Sequence, residues 1–192
     1  FWLAKYYYEG EIVEKDYKQA AEWWRKAAEQ GNVYAQDNLG DCYRQGEGVK
    51  QDYKKAAKWY RKSAENGLKW AQDNLGVFYR DGIGVKQNYK QAVKWFRKAA
   101  EWGDPTAQLH LGDCYFDGVG VKQNYKKAAK LYREAAEQGA PYAQYRLGIC
   151  YFEGLGVEKD PDLASELLRR SAEIGNQEAE EMLKKYFGEE IE

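Results

Sequence analysis

The chain repeats itself at a constant step of 36 residues, from Ala35-Gln36 to Ala71-Gln72, Ala107-Gln108 and Ala143-Gln144, with Ala179 opening a fifth copy. A fixed period of roughly 20–50 residues specifies a stacked repeat architecture before any other property is considered. Full copies span 35–70, 71–106, 107–142 and 143–178. Residues 1–34 form a truncated copy in which Leu3, Gly10 and Val13 match Leu39, Gly46 and Val49, and 179–192 form half a copy.

Each copy carries two helical patterns. The first runs from Ala35 to Gln45, with Ala35, Leu39, Cys42 and Tyr43 on one helical face, and stops at Gly46. The loop Gly46-Glu47-Gly48-Val49 recurs as Gly82-Ile83-Gly84-Val85, Gly118-Val119-Gly120-Val121 and Gly154-Leu155-Gly156-Val157. A second helix follows Asp16, Asp52, Asn88, Asn124 and Asp160, side chains that accept the free N–H groups of a first turn. Its apolar positions, Tyr53, Ala56, Trp59, Tyr60 and Ala64, keep helical spacing, and glycines at 31, 67, 103, 139 and 175 end it. One such hairpin cannot bury its apolar face alone, so neighbours stack. A single elongated domain over 1–192 is expected.

Composition narrows the function classes. Thirty Lys and Arg against 31 Asp and Glu leave a net charge of −1, so no overall field draws the chain to nucleic acid. With 16% aromatic residues, rings and alanines build the core. No stretch approaches the roughly 18 apolar residues of a membrane span. The opening Phe1-Trp2-Leu3-Ala4-Lys5 lacks the form of a signal peptide, and a soluble chain is expected.

Candidate chemistry reduces to structure. The Gly-x-Gly loops do not follow a strand, as phosphate loops do, and read as turns. His110 and Cys114 supply two ligands where a metal site needs more. Asp113 beside Cys114 suggests a nucleophile, yet Asp41-Cys42 recurs without a histidine. Cys42, Cys114 and Cys150 share a column that Phe78 also fills, an apolar packing position. Equivalent positions of successive helices lie about 10 Å apart, beyond the roughly 7 Å limit of a disulfide, so three free thiols are expected. The Trp column (Trp23, Trp59, Trp95) reads as a core stripe. Second helices are basic (Lys54, Lys55, Lys58, Arg61, Lys62) and first helices acidic (Asp37, Asp41, Asp73, Asp81, Asp113, Asp117). The basic side reads as a solvated face, with weak anion binding the alternative. Neither catalysis, nor a metal, nor a cofactor is expected.

The run Ala71, Leu75, Gly76, Tyr79, Gly82, Gly84, Val85, Tyr89, Ala92, Trp95, Ala100, Glu101, Gly103 resembles the Sel-one-like repeat (SLR), a relative of the tetratricopeptide repeat, over essentially the whole chain. The resemblance implies an all-α fold, a right-handed superhelical solenoid of helix-turn-helix repeats, with first helices on a concave face and second helices on a convex one. It also implies a non-enzymatic adaptor. Leu167 in place of Trp59, and Asp160-Pro161-Asp162-Leu163 in place of Asp52-Tyr53, mark an end of the array, and Glu189, Glu190 and Glu192 form a polar cap. A cysteine-rich branch of the family staples its helix pairs with disulfides, and some members bind penicillin. The second helices here carry no cysteine, so that activity is not expected.

If first helices face inward, the positions opposite their packing stripe are Tyr34, Asp37, Asp41 and Arg44, then Trp70, Asp73, Val77 and Arg80, then Thr106, Leu109, Asp113 and Phe116, then Tyr142, Tyr145, Ile149 and Phe152. Apolar character rises toward the C-terminal half. The expected anchors for a protein or peptide are Leu109, Phe116, Tyr145, Ile149 and Phe152, with Asp37, Asp73 and Asp113 meeting a basic segment. Burial of those anchors by curvature is the alternative. Two further possibilities stay open: self-association through the same face, and a consensus scaffold without a native ligand, suggested by near-identical copies at 35–40 and 71–76.

Overall fold

Every full repeat folds as a pair of helices joined by its Gly-x-Gly turn. The computed structural model describes residues 1–188, which form eleven helices and no strand. In chain order these are α1 (Trp2–Glu9), α2 (Tyr17–Glu29), α3 (Val33–Gln45), α4 (Tyr53–Glu65), α5 (Lys69–Asp81), α6 (Tyr89–Glu101), α7 (Pro105–Asp117), α8 (Tyr125–Glu137), α9 (Pro141–Glu153), α10 (Pro161–Glu173) and α11 (Gln177–Phe187). The helices gather into two compact units, Phe1–Ala99 and the residues from Ala100 onward. The acidic end at Glu189, Glu190 and Glu192 lies outside the described residues.

The caps form as their residue types dictate. Asp16, Asp52, Asn88, Asn124 and Asp160 each accept the backbone N–H three residues on, all at 3.0 Å. First helices start two residues before the expected Ala35 and its equivalents, because Asn32, Asp104 and Asn176 cap there in the same way. Leu68 and Ala140 occupy that place in α5 and α9 without a side-chain cap.

Within a repeat, Tyr60, Phe96, Tyr132 and Leu168 are fully buried against first-helix glycines. A Cβ on Gly76 would lie 2.4 Å from the Phe96 ring, so the glycine lets the helices close over the aromatic side chain. Between repeats, Gln36 Nε2 donates to the Ala28 carbonyl and Gln72 Nε2 to the Ala64 carbonyl, both at 3.1 Å, tying α3 to α2 and α5 to α4.

In three turns the second glycine does more than turn the chain. Gly84 has φ +66°, and a Cβ there would sit 2.2 Å from the Tyr53 carbonyl oxygen, at the start of the preceding repeat's second helix. Gly48 and Gly156 approach the backbone of Tyr17 and Tyr125 in the same way. These loops are packed shut and hold no room for a phosphate.

The tryptophan column differs in part from a simple core stripe. Trp95 is buried, but Trp23 and Trp59 keep an open edge. The lysine one turn on lies over each ring, Lys26 at 4.2 Å, Lys62 at 4.4 Å and Lys98 at 4.7 Å from the ring centroids. The aliphatic stem of the lysine covers the edge that Trp23 and Trp59 leave open. Cys42, Cys114 and Cys150 are buried free thiols. Burial raises the Cys42 thiol to about 12 and Cys150 to about 11, which removes the reactive thiolate near neutrality.

Candidate functional site

On the first-helix side of the first unit lies an open cleft of about 870 Å³. Its aromatic walls are Phe1, Trp2, Tyr8, Trp24, Tyr34 and Trp70, and its carboxylates are Glu9, Asp37 and Asp41. The helical period sets this composition, because Tyr34, Asp37 and Asp41 recur along one side of α3, and Trp70 extends the Tyr34 column onto α5. The Tyr34 and Trp70 ring centroids are 6.4 Å apart, and Phe1 stands 6.1 Å from Tyr34. Tyr34 and Trp70 remain 49% and 52% exposed, large for aromatic rings that neighbour each other.

The acids of the cleft are not equivalent. Asp41 accepts from the Tyr60 hydroxyl at 2.8 Å and from Arg44 at 2.9 Å; burial first, and then Asp41, push the Tyr60 phenol well above its ordinary range. Asp37 is only 9% exposed, and the amide of Asn74 on α5 donates to it at 3.4 Å. Burial first, then the charge of Asp41, raise the Asp37 carboxyl to about 7; Asn74 and Arg44 oppose that shift. Asp73 has the same degree of burial one repeat on. Beside them, the Tyr8 hydroxyl donates to Glu47 at 3.0 Å, and burial helps push that phenol to about 12.

In the second unit the expected anchors are all half-buried. Leu109 and Phe116 pack on the cluster of Tyr132, Leu147 and Cys150. Phe116 also stands 5.1 Å from Tyr125, with the Arg146 guanidinium over its ring. Tyr145 packs against Leu168, Ala179 and Leu183, and Phe152 lies 5.1 Å from Tyr186 and 5.6 Å from Phe187. Ile149 shares their partial exposure. Asp113 accepts from the Tyr132 hydroxyl at 2.8 Å and pairs with Arg146 at 3.0 Å. The structure thus brings Phe116, Asp113 and Arg146 together, and sets Phe152 apart against α11.

Sequence reasoning placed Tyr34 and Trp70 on the correct side of the first helices but passed over them as anchors. Their signal was the column Tyr34, Trp70, Thr106 and Tyr142, and Tyr142 is also exposed. Among the described residues no group of three or more His, Cys, Asp or Glu side chains is placed to hold a metal ion, and no helix is long and apolar enough to cross a membrane.

The Sel1 repeat pattern matches residues 1–32, 33–68, 71–104, 105–139 and 141–176. A protective antigen of uropathogenic Escherichia coli strains that displays an SLR fold is 45% identical, with a TM-score of 0.90 over 97% of this chain and 40% of its own. A Sel1 repeat protein of Oxalobacter formigenes is 39% identical, with a TM-score of 0.90 over 95% of this chain and 73% of its own. Helicobacter pylori cysteine rich protein B is 27% identical, with a TM-score of 0.53 over 68% of this chain and 94% of its own. Thus the chain spans about two fifths of the length of the E. coli antigen. Among curated proteins, none matches it. The idea of a consensus scaffold finds no support in these bacterial relatives.

Proposed function

Because this chain belongs to the Sel1 repeat family, whose members are in general non-enzymatic scaffolds for protein–protein interaction, we propose that it is an adaptor holding a protein or peptide partner on its first-helix side. The observation that carries this reading is the open cleft of the first unit, walled by half-exposed Tyr34 and Trp70. Aromatic side chains give large contact area at small entropic cost and dominate interface energies. In the second unit, Leu109, Phe116, Tyr145, Ile149 and Phe152 would offer a partner their own open edges, and Asp37, Asp73 and Asp113 would meet basic groups of the partner. The acidic first helices disfavour nucleic acid.

The test is selection of binding peptides from a random display library, followed by affinity measurement on variants. Trp70→Ala with Tyr34→Ala is expected to weaken the selected peptides at least tenfold, and Phe116→Ala with Phe152→Ala to weaken them less. Unchanged affinity in both pairs would overturn the first-helix assignment. Light scattering of the same proteins across concentration separates a foreign partner from a second copy: a dimer dissolved by Phe116→Ala with Phe152→Ala would make the partner this chain itself.

A further inference from the structure

The cleft of the first unit combines two features that an apolar peptide groove does not need. Its walls are electron-rich ring faces, and its interior holds acids outnumbering bases, with Glu9, Asp37 and Asp41 against Lys5 alone. Asp41 is satisfied by Tyr60 and Arg44, and Glu9 is paired with Lys5 at 3.4 Å. Asp37 stands differently, since among the described residues it accepts from one side-chain amide, that of Asn74, at the long distance of 3.4 Å. A carboxylate taken out of water is stabilised by a cation brought next to it. The Trp24 side chain, 3% exposed and also lining the cleft, carries an indole N–H that finds no acceptor among the described residues. The cleft itself already attracts an ammonium, because Lys5 Nζ lies 5.9 Å from the centre of the Trp2 ring.

We propose that this cleft recognises a basic side chain of the protein partner, taking its ammonium or guanidinium against Asp37 and the rings of Tyr34 and Trp70. The aromatic faces attract the cation through their quadrupoles, and the aliphatic stem of a lysine or arginine covers apolar wall. The Trp24 N–H is available to an acceptor on the same residue, such as its backbone carbonyl. This inference rests on the adaptor reading above and adds to it the seat of the basic group, a single side chain held between Asp37 and the rings of Tyr34 and Trp70. An apolar anchor would fill the walls but leave Asp37 buried without a counter-charge.

The probe is Nα-acetyl-lysine N-methylamide, with Nα-acetyl-norleucine N-methylamide as the uncharged control of matching stem. Binding is followed through the indole N–H correlations of Trp24 and Trp70. The lysine probe is expected to shift both signals saturably, and the norleucine probe to bind at least tenfold more weakly. Asp37→Asn removes the charge, and Trp70→Ala removes a wall at a half-exposed position that folding does not require. Each is expected to weaken the lysine probe tenfold or more. Equal binding of the two probes would overturn the cationic reading while leaving the docking reading standing. No shift with either probe would also overturn it, and the peptide selection would then decide the docking reading on its own.

Discussion

At Gly84 a methyl group would sit 2.2 Å from the Tyr53 carbonyl oxygen, on a backbone already at φ +66°. The strain of a side chain at positive φ and the clash with backbone atoms that cannot rotate away then add. Gly84→Ala is expected to lower stability by about 3 kcal/mol in urea unfolding. Gly67, with φ +91° and nothing within 4 Å of the missing Cβ, should lose only about 1 kcal/mol on the same change. Asp37 gives a second prediction, in pH. Burial first, and then the charge of Asp41, raise its folded carboxyl to about 7, above the ordinary aspartate range, so between those two values the folded state holds a proton that the unfolded state has released. Its contribution to stability is therefore complete below about pH 4 and is lost as pH rises through 7. Asp37→Asn should stabilise the protein at pH 8 by about 2–4 kcal/mol and flatten the fall between about pH 4 and 7, as measured by denaturation midpoints. A residue that costs stability while ionised and lines an open cleft fits a site kept for binding.

For a single helix, the decisive residues are the caps. Asp160→Ala is expected to cost about 1 kcal/mol, because Asp160 is exposed and its one structural task is to accept the Leu163 N–H at 3.0 Å. Thermal unfolding of that variant against the parent checks it. The second-helix caps were legible in the sequence because a cap depends on one residue type at one local spacing, and five copies agreed. First-helix starts were misjudged by two residues because their caps alternate between Asn or Asp and the uncapped Leu68 and Ala140. The candidate site was less legible for a related reason. Helical periodicity shows which side of α7 or α9 Phe116 and Phe152 occupy. How far each is covered depends on Tyr125, Tyr132 and Arg146, or on Tyr186 and Phe187, which lie elsewhere in the chain. The same dependence left Tyr34 and Trp70 open, since Tyr34 meets the rings of Phe1 and Trp70 and both Tyr34 and Trp70 stay about half exposed.

Across the whole molecule, stability and recognition separate by position. Trp70→Ala should change stability by no more than about 0.5 kcal/mol while removing partner affinity. Phe152→Ala strips the contact to Tyr186 and Phe187 and should cost about 2 kcal/mol with a smaller effect on affinity. Calorimetry and binding titration on the two variants check the contrast. The glycine seats carry a further meaning for how the array comes to exist. Gly48 rests on Tyr17, Gly84 on Tyr53 and Gly156 on Tyr125, so the seat always precedes the loop that needs it. During synthesis at roughly 5–20 residues per second, each helix start leaves the ribosome seconds before its loop and waits for it. Assembly thus acquires a direction, and stalled nascent chains that end well beyond Val85 should resist protease over the first unit in a way that Gly84→Ala chains do not. The second glycine of these three turns is in this sense a latch that closes only backward, onto what has already been made.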